Sequence, residues 1–363
     1  MKILYVTTVG ITMTFFKNIV RKLLDDGHIV DIATNESEEY QVPECYKEWG
    51  CKIYQISTSR SPFSMGNFKA IKQIRNIAKD YDIVHCHTPL AGMAARQGCK
   101  KLRKTQGLKV IYTAHGFHFY KGAPKKNWMI FYPIEKSSSK YTDVLITVNH
   151  EDFALAKEKM KAKETRYVPG VGMDVDKFFN TKVDVSKKRE EIGVPTDAKV
   201  VLSVGELNEN KNHQLAIRAL ANITPRDNIH YVIAGVGDQK EKLEKLASEL
   251  GVNLHLLGFR RDVAELYKIA DLYVHPSYRE GLPVALMEAM ASKVDAVCSN
   301  IRGSNDLVSN GLFDPKSVDS LTEVLKRFLV NGESSKEENF EKIHQFSITK
   351  VNDDIYDIYG IKR

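Results

Sequence analysis

The stretch Leu272-Tyr273-Val274-His275-Pro276-Ser277-Tyr278-Arg279-Glu280-Gly281-Leu282-Pro283-Val284-Ala285-Leu286-Met287-Glu288 reads as a strand, a loop and a helix. The apolar run at its start has the length of a buried strand. Pro283 can open the helix, because proline is tolerated at the first helical position. Such a helix points free N–H groups and its positive dipole end out of the sheet, which suits a phosphate. Glu280 falls in the loop and Glu288 inside the helix, so a carboxylate on each side could hold sugar hydroxyls. The spacing by itself also fits a surface loop followed by a solvated helix with two ordinary acids.

The same strand–helix alternation runs along the chain. In the first half, strand-like runs at 2–8, 29–33, 83–86, 110–113 and 144–147 alternate with helical patterns such as 15–26, closed by Gly27, and 68–79. The second half repeats this with strands at Lys199–Val204, 230–234, 254–257, Leu272–His275 and Ala296–Ser299. Helices are expected between them at His213–Ala221, 239–250, Val263–Ile269 and Val284–Ala291. This alternation predicts α/β architecture with doubly wound parallel sheets. Ligands of such sheets bind beyond the carboxyl ends of the strands. His87, His115 and the loop after Thr8 are expected just past strand ends. Val168-Pro169-Gly170-Val171-Gly172 is rich in turn formers and reads as an interdomain linker. Domains of 1–168 and 169–345 follow, with a cleft between the lobes as the expected ligand site. The tail, 346–363, carries a helical pattern without a strand partner.

A length of 363 residues fits two domains, and 43% hydrophobic with 27% charged content is an ordinary soluble composition. No run of 18 or more apolar residues is present, and the first residues read as a strand rather than a signal peptide. The five cysteines are scattered and form no CxxC pair, which fits reduced thiols in a cytoplasm. Net charge is +7 and uneven: residues 1–168 hold 27 Lys+Arg against 16 Asp+Glu, and the remainder 26 against 30. Basic clusters stand at Lys17, Arg21 and Lys22, at Lys100, Lys101, Arg103 and Lys104, and at Lys121, Lys125 and Lys126. Phe117, Phe119, Tyr120 and Trp128 lie near the last. A basic face with interleaved aromatics can touch anionic lipid or nucleic acid, or be a solvated surface.

Several chemistries lack their motifs. The P-loop spacing is absent, and Ala234-Gly235-Val236-Gly237-Asp238 lacks the third glycine of a dinucleotide fingerprint. There is no GxSxG serine elbow. His85 and His87 would share one face of a strand, but no third ligand stands at a suggestive spacing, so no metal site is expected. Two loops remain. Gly205-Glu206-Leu207-Asn208-Glu209-Asn210-Lys211 follows a strand, with glycine for close ligand approach and lysine to neutralise a diphosphate. Thr113-Ala114-His115-Gly116-Phe117-His118-Phe119-Tyr120 follows another and suggests a sugar or acyl contact, an acid/base, or a structural histidine.

These segments match a known family. The chain resembles the GT-B, family 4 retaining glycosyltransferases, in particular those that build bacterial capsule and exopolysaccharide. The resemblance rests on Ile83-Val84-His85-Cys86-His87-Thr88-Pro89, the block around His115-Gly116-Phe117-His118-Phe119, Ser203-Val204-Gly205-Glu206-Leu207 with Lys211-Asn212, Gly258-Phe259-Arg260, 270–290, Ile301-Arg302-Gly303 and Asp306-Leu307. It covers nearly the whole chain.

The family fold is two Rossmann-like domains facing a cleft, with a C-terminal helix crossing back onto the N-terminal domain. The resemblance implies that the second lobe binds a nucleotide-sugar, with a UDP-sugar as donor. Lys211 would hold the diphosphate, with Gly205 giving it room and Gly281, Leu282 and Val284 offering backbone groups at the helix start. Glu288 would hold ribose hydroxyls, Glu280 hydroxyls of the transferred sugar, and Gly258 and Arg260 would border the base. His115 would approach the reacting carbon from the other lobe, with Gly10, His87 and His118 on the acceptor side. Lys211 is expected to face the two glutamates across the cleft. The resemblance further implies transfer without a metal or other cofactor, an undecaprenyl-diphosphate-linked saccharide acceptor, and a peripheral place on the inner face of the plasma membrane through the basic first domain. Nucleic acid is not an expected partner.

Three departures bear on this. Glu206 stands where most members have arginine, although an acid is familiar in this subgroup. Lys293 and Asp295 replace the family's usual glycine and proline, so Lys293 loses an easy left-handed helix end and Asp295 puts a charge at the entry of a buried strand. The stretch 308–315 is shorter than the usual glycine-rich turn. These changes could weaken donor binding or stability and motivate a catalytically impaired binding or scaffold protein; a sugar-nucleotide epimerase on the same fold is the other alternative, and the His115-Gly116-Phe117-His118-Phe119 block argues against it.

Overall fold

The computed structural model describes residues 1–59, 61, 64–224 and 228–362. The chain divides into two compact units, Met1–Val171 with Ile348–Arg363, and Gly172–Ser347. The first unit carries strands β1 (Lys2–Val6), β2 (Ile29–Thr34), β3 (Ile53–Gln55), β4 (Ile83–His87), β5 (Lys109–Ala114), β6 (Val144–Thr147) and β7 (Glu164–Tyr167). They form one parallel sheet in the order β3-β2-β1-β4-β5-β6-β7. The second unit carries β8 (Lys199–Val204), β9 (Ile229–Ala234), β10 (Asn253–Leu256), β11 (Leu272–His275), β12 (Ala296–Ser299) and β13 (Leu312–Phe313). Their order is β10-β9-β8-β11-β12-β13, again all parallel. Both sheets reverse strand order beside their first strand, and that switch point is where doubly wound sheets hold ligands.

Strand alternation decides what each face carries. On β4, Val84 and Cys86 enter the core packed by the helices Met65–Ile77 and Pro89–Cys99. Ile83 joins the opposite core, beneath the helices Lys17–Asp25 and Ile348–Tyr359. His85 and His87 share that second face, so the two histidines turn together toward the tail helix. In the second unit, Leu272 and Val274 of β11 face one core, and Tyr273 faces the core packed by Val263–Ile269 and Val284–Ala291. His275 follows the parity of Tyr273.

The structure corrects several local expectations. The helix expected over 15–26 is a 3₁₀ turn, Gly10–Phe16, followed by the helix Lys17–Asp25. His87 is the last residue of β4 rather than a loop residue beyond it. Pro283 is the cap before the helix Val284–Ala291, not its first residue. Lys293 does adopt the left-handed conformation, at φ 61°, and its ammonium pairs with Glu337 at 2.8 Å. Asp295 is satisfied: its Oδ1 accepts from the Ser334 hydroxyl at 2.9 Å and from the backbone N–H groups of Ser335 and Lys336 at 2.7 and 2.9 Å.

Candidate active site

In the second unit the switch point lies between β8 and β11, and the loops leaving these two strands meet there. Asn212 ties them. Its backbone is left-handed at φ 53°, which asparagine tolerates better than most residues, and its side-chain N–H donates to the carbonyls of Pro276 at 3.1 Å and Pro315 at 3.0 Å. Asn210 adds a second tie, donating to the Arg279 carbonyl at 3.0 Å and accepting from the Tyr278 N–H at 2.8 Å. Asn208 fixes the start of the turn by accepting from the Lys211 N–H at 3.0 Å. The Lys211 stem lies over Gly205, where an added Cβ would sit 3.3 Å from it.

These ties place the Lys211 ammonium 2.8 Å from Glu280 Oε1. Lys211 therefore does not face Glu280 across a cleft; both belong to one unit and are in direct contact. His275 Nε2 is 3.1 Å from the same oxygen, and His275 Nδ1 is 3.0 Å from the Tyr273 hydroxyl. Burial works to raise the Glu280 pKa, but the His275 hydrogen bond and the charge and hydrogen bond of Lys211 outweigh it and hold the carboxyl below its usual range. Burial also lowers the His275 pKa, so the ring is neutral at neutral pH.

Glu288 is the opposite case. It sits half-buried on the helix Val284–Ala291, with the Tyr267 hydroxyl 3.0 Å from its Oε2. The same hydroxyl lies 2.9 Å from the Ala285 carbonyl. One hydroxyl hydrogen cannot serve both acceptors fully, whereas a protonated Glu288 would donate to Tyr267 and leave Tyr267 to donate to Ala285. Consistently, burial raises the Glu288 pKa to about 7, against smaller lowering effects of Tyr267 and Lys177. The two glutamates thus differ in how tightly they hold a proton while lying on one loop and its helix. The helix start has no side-chain cap, so its first N–H groups remain available, and Val284 there is exposed while Gly281 and Leu282 are half-buried.

Not every expected residue joins this cluster. Arg260 is tied into an ion-pair network with Asp262 and Glu191, each at 2.5 Å, and Asp262 is shared with Lys188 at 2.9 Å. Gly258 bridges Gly235 near the β9–β10 edge. Glu206 is exposed and accepts from Asn208 Nδ2 at 2.7 Å, so it turns to an amide rather than to Lys211.

In the first unit, His87 Nδ1 and His115 Nε2 are 3.1 Å apart. Phe16 covers His87 at a ring distance of 4.2 Å. Beneath them His85 is held at both nitrogens, by the Tyr359 hydroxyl and by Thr113, each at 2.7 Å. Burial lowers the His85 pKa to about 3 and that of His87 well below its usual value, so both are neutral. A pocket opens here, lined by Tyr5, Phe16, His85, His87, His115 and Ile355 among others. Thr88, directly after His87, takes φ 65°, an unusual strain for a β-branched residue, and its hydroxyl meets that of Thr8 at 2.6 Å. His118 is separate: its ring stacks on Phe131 at 4.4 Å. Gly10 starts the 3₁₀ turn, where a Cβ would come within 2.6 Å of the backbone of Tyr40 and Val42. Among the described residues no group of three or more His, Cys, Asp or Glu is placed to hold a metal ion.

Sequence reasoning missed Tyr267, Tyr273 and His275 as members of the site. His275 stood at a strand end inside the deciding stretch, two residues from Tyr273, a parity that puts both on one face. Tyr267 left no such signal.

Comparison with known proteins agrees with this architecture. The family described as glycosyl transferases group 1 matches residues 184–344, and the family described as glycosyl transferase 4-like matches residues 2–149. A Bacillus subtilis protein, EpsD, named as a glycosyltransferase, is 38% identical over 265 residues, 71% of this chain and 69% of that one. The Escherichia coli UDP-Gal:alpha-D-GlcNAc-diphosphoundecaprenol alpha-1,3-galactosyltransferase is 29% identical over 351 residues, 92% of this chain and 87% of that one. The crystal structure of Anabaena Alr3699/HepE in complex with UDP superposes with a TM-score of 0.81 over 99% of this chain and all of that one, at 18% identity. With two doubly wound parallel sheets and these matches over both units, the chain belongs to the group 1 glycosyltransferases of the GT-B fold and is a glycosyltransferase.

Proposed function

We propose that this protein transfers a sugar from a UDP-sugar, with retention, to a lipid-linked saccharide in the synthesis of a bacterial surface polysaccharide. The observation that carries the donor half is the Lys211–Glu280–His275 cluster at the β8–β11 switch point, beside an uncapped helix start. In this reading Lys211 leaves Glu280 for the donor's diphosphate, and the helix N–H groups share the load. Both stabilise the charge that develops as the nucleotide departs, so transfer needs no metal. Glu288 holds the ribose hydroxyls and Glu280 those of the transferred sugar. His115, set by His87, is the catalytic group that the first unit contributes. The acceptor hydroxyl attacks on the face the leaving group vacates and passes its proton to a phosphate oxygen.

Support for the acceptor half is the Escherichia coli relative, whose name specifies a diphosphoundecaprenol substrate. No helix among the described residues is long and apolar enough to cross a membrane. Contact with an anionic bilayer would fall to the helix Lys125–Ser139, which exposes Lys125, Lys126 and, at 77%, Met129. The departures that motivate a binding-only protein are both accommodated, Lys293 by Glu337 and Asp295 by the residues 334–336.

The test is transfer of radiolabelled sugar from a panel of UDP-sugars to undecaprenyl-diphosphate saccharides. Label should move into the lipid fraction, and loss of that transfer in Lys211→Ala should accompany it. A panel yielding neither transfer nor donor hydrolysis would remove this reading.

A further inference from the structure

His275 has both ring nitrogens engaged although it is almost wholly buried. Glu280, an ionised carboxylate, can only accept, so His275 Nε2 carries the hydrogen of their 3.1 Å contact. That leaves His275 Nδ1 as an acceptor, and the Tyr273 hydroxyl, 3.0 Å away, donates to it. Tyr273 cannot lose that proton readily, because burial raises its pKa well above the usual value. The ring is thus fixed in one tautomer from behind, as a side chain two residues back on the same strand can do. Ser277 Oγ, 3.2 Å from Nε2, braces the same edge.

Glu280 Oε1 consequently holds two donors, Lys211 and His275, while Oε2 has no hydrogen-bond partner among the described residues. One oxygen is anchored and the other is free for a ligand. The two anchors differ in mobility. Lys211 is a long, flexible cation that an incoming diphosphate would attract away; His275 is a rigid ring at the end of a central strand.

We propose that His275, held in its Nε2–H tautomer by Tyr273, is the positioning residue that keeps Glu280 aimed at the donor sugar when Lys211 turns from it to the diphosphate. This rests on the donor-binding reading above. Without His275 the carboxylate would lose its remaining anchor on donor binding and would face the diphosphate's negative charge unrestrained. The nucleotide itself would still bind, because in that reading Lys211, the helix start and Glu288 hold it without His275.

The experiment compares UDP with UDP-glucose, UDP-galactose, UDP-N-acetylglucosamine and UDP-N-acetylgalactosamine by calorimetry on the full chain. It uses wild type, His275→Ala and His275→Gln. His275→Ala should bind UDP within about twofold of wild type, while the affinity ratio of the best UDP-sugar to UDP falls about tenfold. His275→Gln, whose amide N–H can reach the same oxygen, should restore most of that ratio and keeps the test valid should the alanine variant fold poorly. Long-range ¹⁵N NMR of the ligand-free wild type should find the His275 proton on Nε2, and a proton on Nδ1 would overturn the proposal. So would an unchanged ratio in His275→Ala beside normal wild-type binding. Wild-type protein that binds none of the five ligands would instead overturn the donor reading, and the proposal with it.

Discussion

The Asp295 carboxylate accepts the backbone N–H of Ser335 at 2.7 Å, and so a residue at the entry of β12 caps a helix forty positions further on. Ser335 itself makes no side-chain cap to the helix Lys336–Ile343, and Asp295 supplies what it lacks, adding the Lys336 N–H and the Ser334 hydroxyl. Two residues away Lys293 pairs with Glu337 in the first turn of the same helix. Replacing Asp295 by alanine removes a charged cap, which typically costs about 1–2 kcal/mol. Thermal melts should show a fall of a few degrees for Asp295→Ala. Asp295→Pro should fall at least as far, because it restores a common backbone but strands the same N–H groups.

The raised pKa of Glu288 makes both stability and donor binding depend on pH. The folded state holds this proton up to about pH 7, whereas an unfolded chain releases it near 4.5. Between these values the native state binds more protons, so the Glu288 contribution to stability falls as pH rises from about 4.5 to 7 and is level above that. Glu288→Gln should therefore melt higher than wild type at pH 8 and lose that advantage near pH 4.5. If the carboxylate form accepts ribose hydroxyls, UDP binding releases a proton. Affinity should then weaken below pH 7 in wild type and be flat with pH in Glu288→Gln, measured by calorimetry in buffers of different ionisation heat. A wild-type affinity constant from pH 6 to pH 8 would rule this out.

Arg96 and Glu135 form an ion pair at 2.8 Å with side chains 0% and 4% exposed, and Tyr112 donates to the second Glu135 oxygen at 2.9 Å. Arg96 also lies over the Tyr112 ring at 3.9 Å. Removing one partner of such a pair leaves an uncompensated buried charge, a loss of about 3–5 kcal/mol. Chemical denaturation of Glu135→Ala should show it. The denaturation midpoint should shift far more than for Asp25→Ala, whose pair with Arg21 is about half exposed.

Lys211→Ala should reduce kcat/KM about a hundredfold or more, by analogy with the loss of one preorganised donor at a developing charge. UDP affinity should drop in parallel, since the same ammonium meets the ground-state diphosphate. An enzyme assay in which Lys211→Ala keeps wild-type kcat would show that the departing charge is carried elsewhere.

Much of the fold was readable because its central strands are short apolar runs ending at loops with distinctive residues. β8 and β11 and the helix Val284–Ala291 fall where the pattern put them. The strands that escaped notice, β3, β7 and β13, all lie at sheet edges, where polar residues such as Gln55, Glu164 and Arg166 blur the apolar run. The helix Pro89–Cys99 escaped for the opposite reason. It is buried on nearly all sides, so its alanines and glycines show no amphipathic period. The pairing of Lys211 with Glu280 was not legible either. It joins residues 69 apart and depends on β8 lying beside β11, and strand order is not written in any local segment. Asp295 looked like a liability because its partners come from another element altogether.

The tail helix has a consequence for the order in which the protein can be completed. The face of the first sheet that bears Ile3, Tyr5 and Ile111 is packed by Val351, Ile355 and Ile358, and Tyr359 reaches Tyr5 at 3.0 Å. During synthesis the sheet and the helix Lys17–Asp25 emerge first, and the tail's share of the cover comes last, after the whole of Gly172–Ser347 has been made. A ribosome-bound chain therefore carries an only partly covered apolar face through the synthesis of an entire second unit, a window in which chaperone binding or aggregation competes with folding.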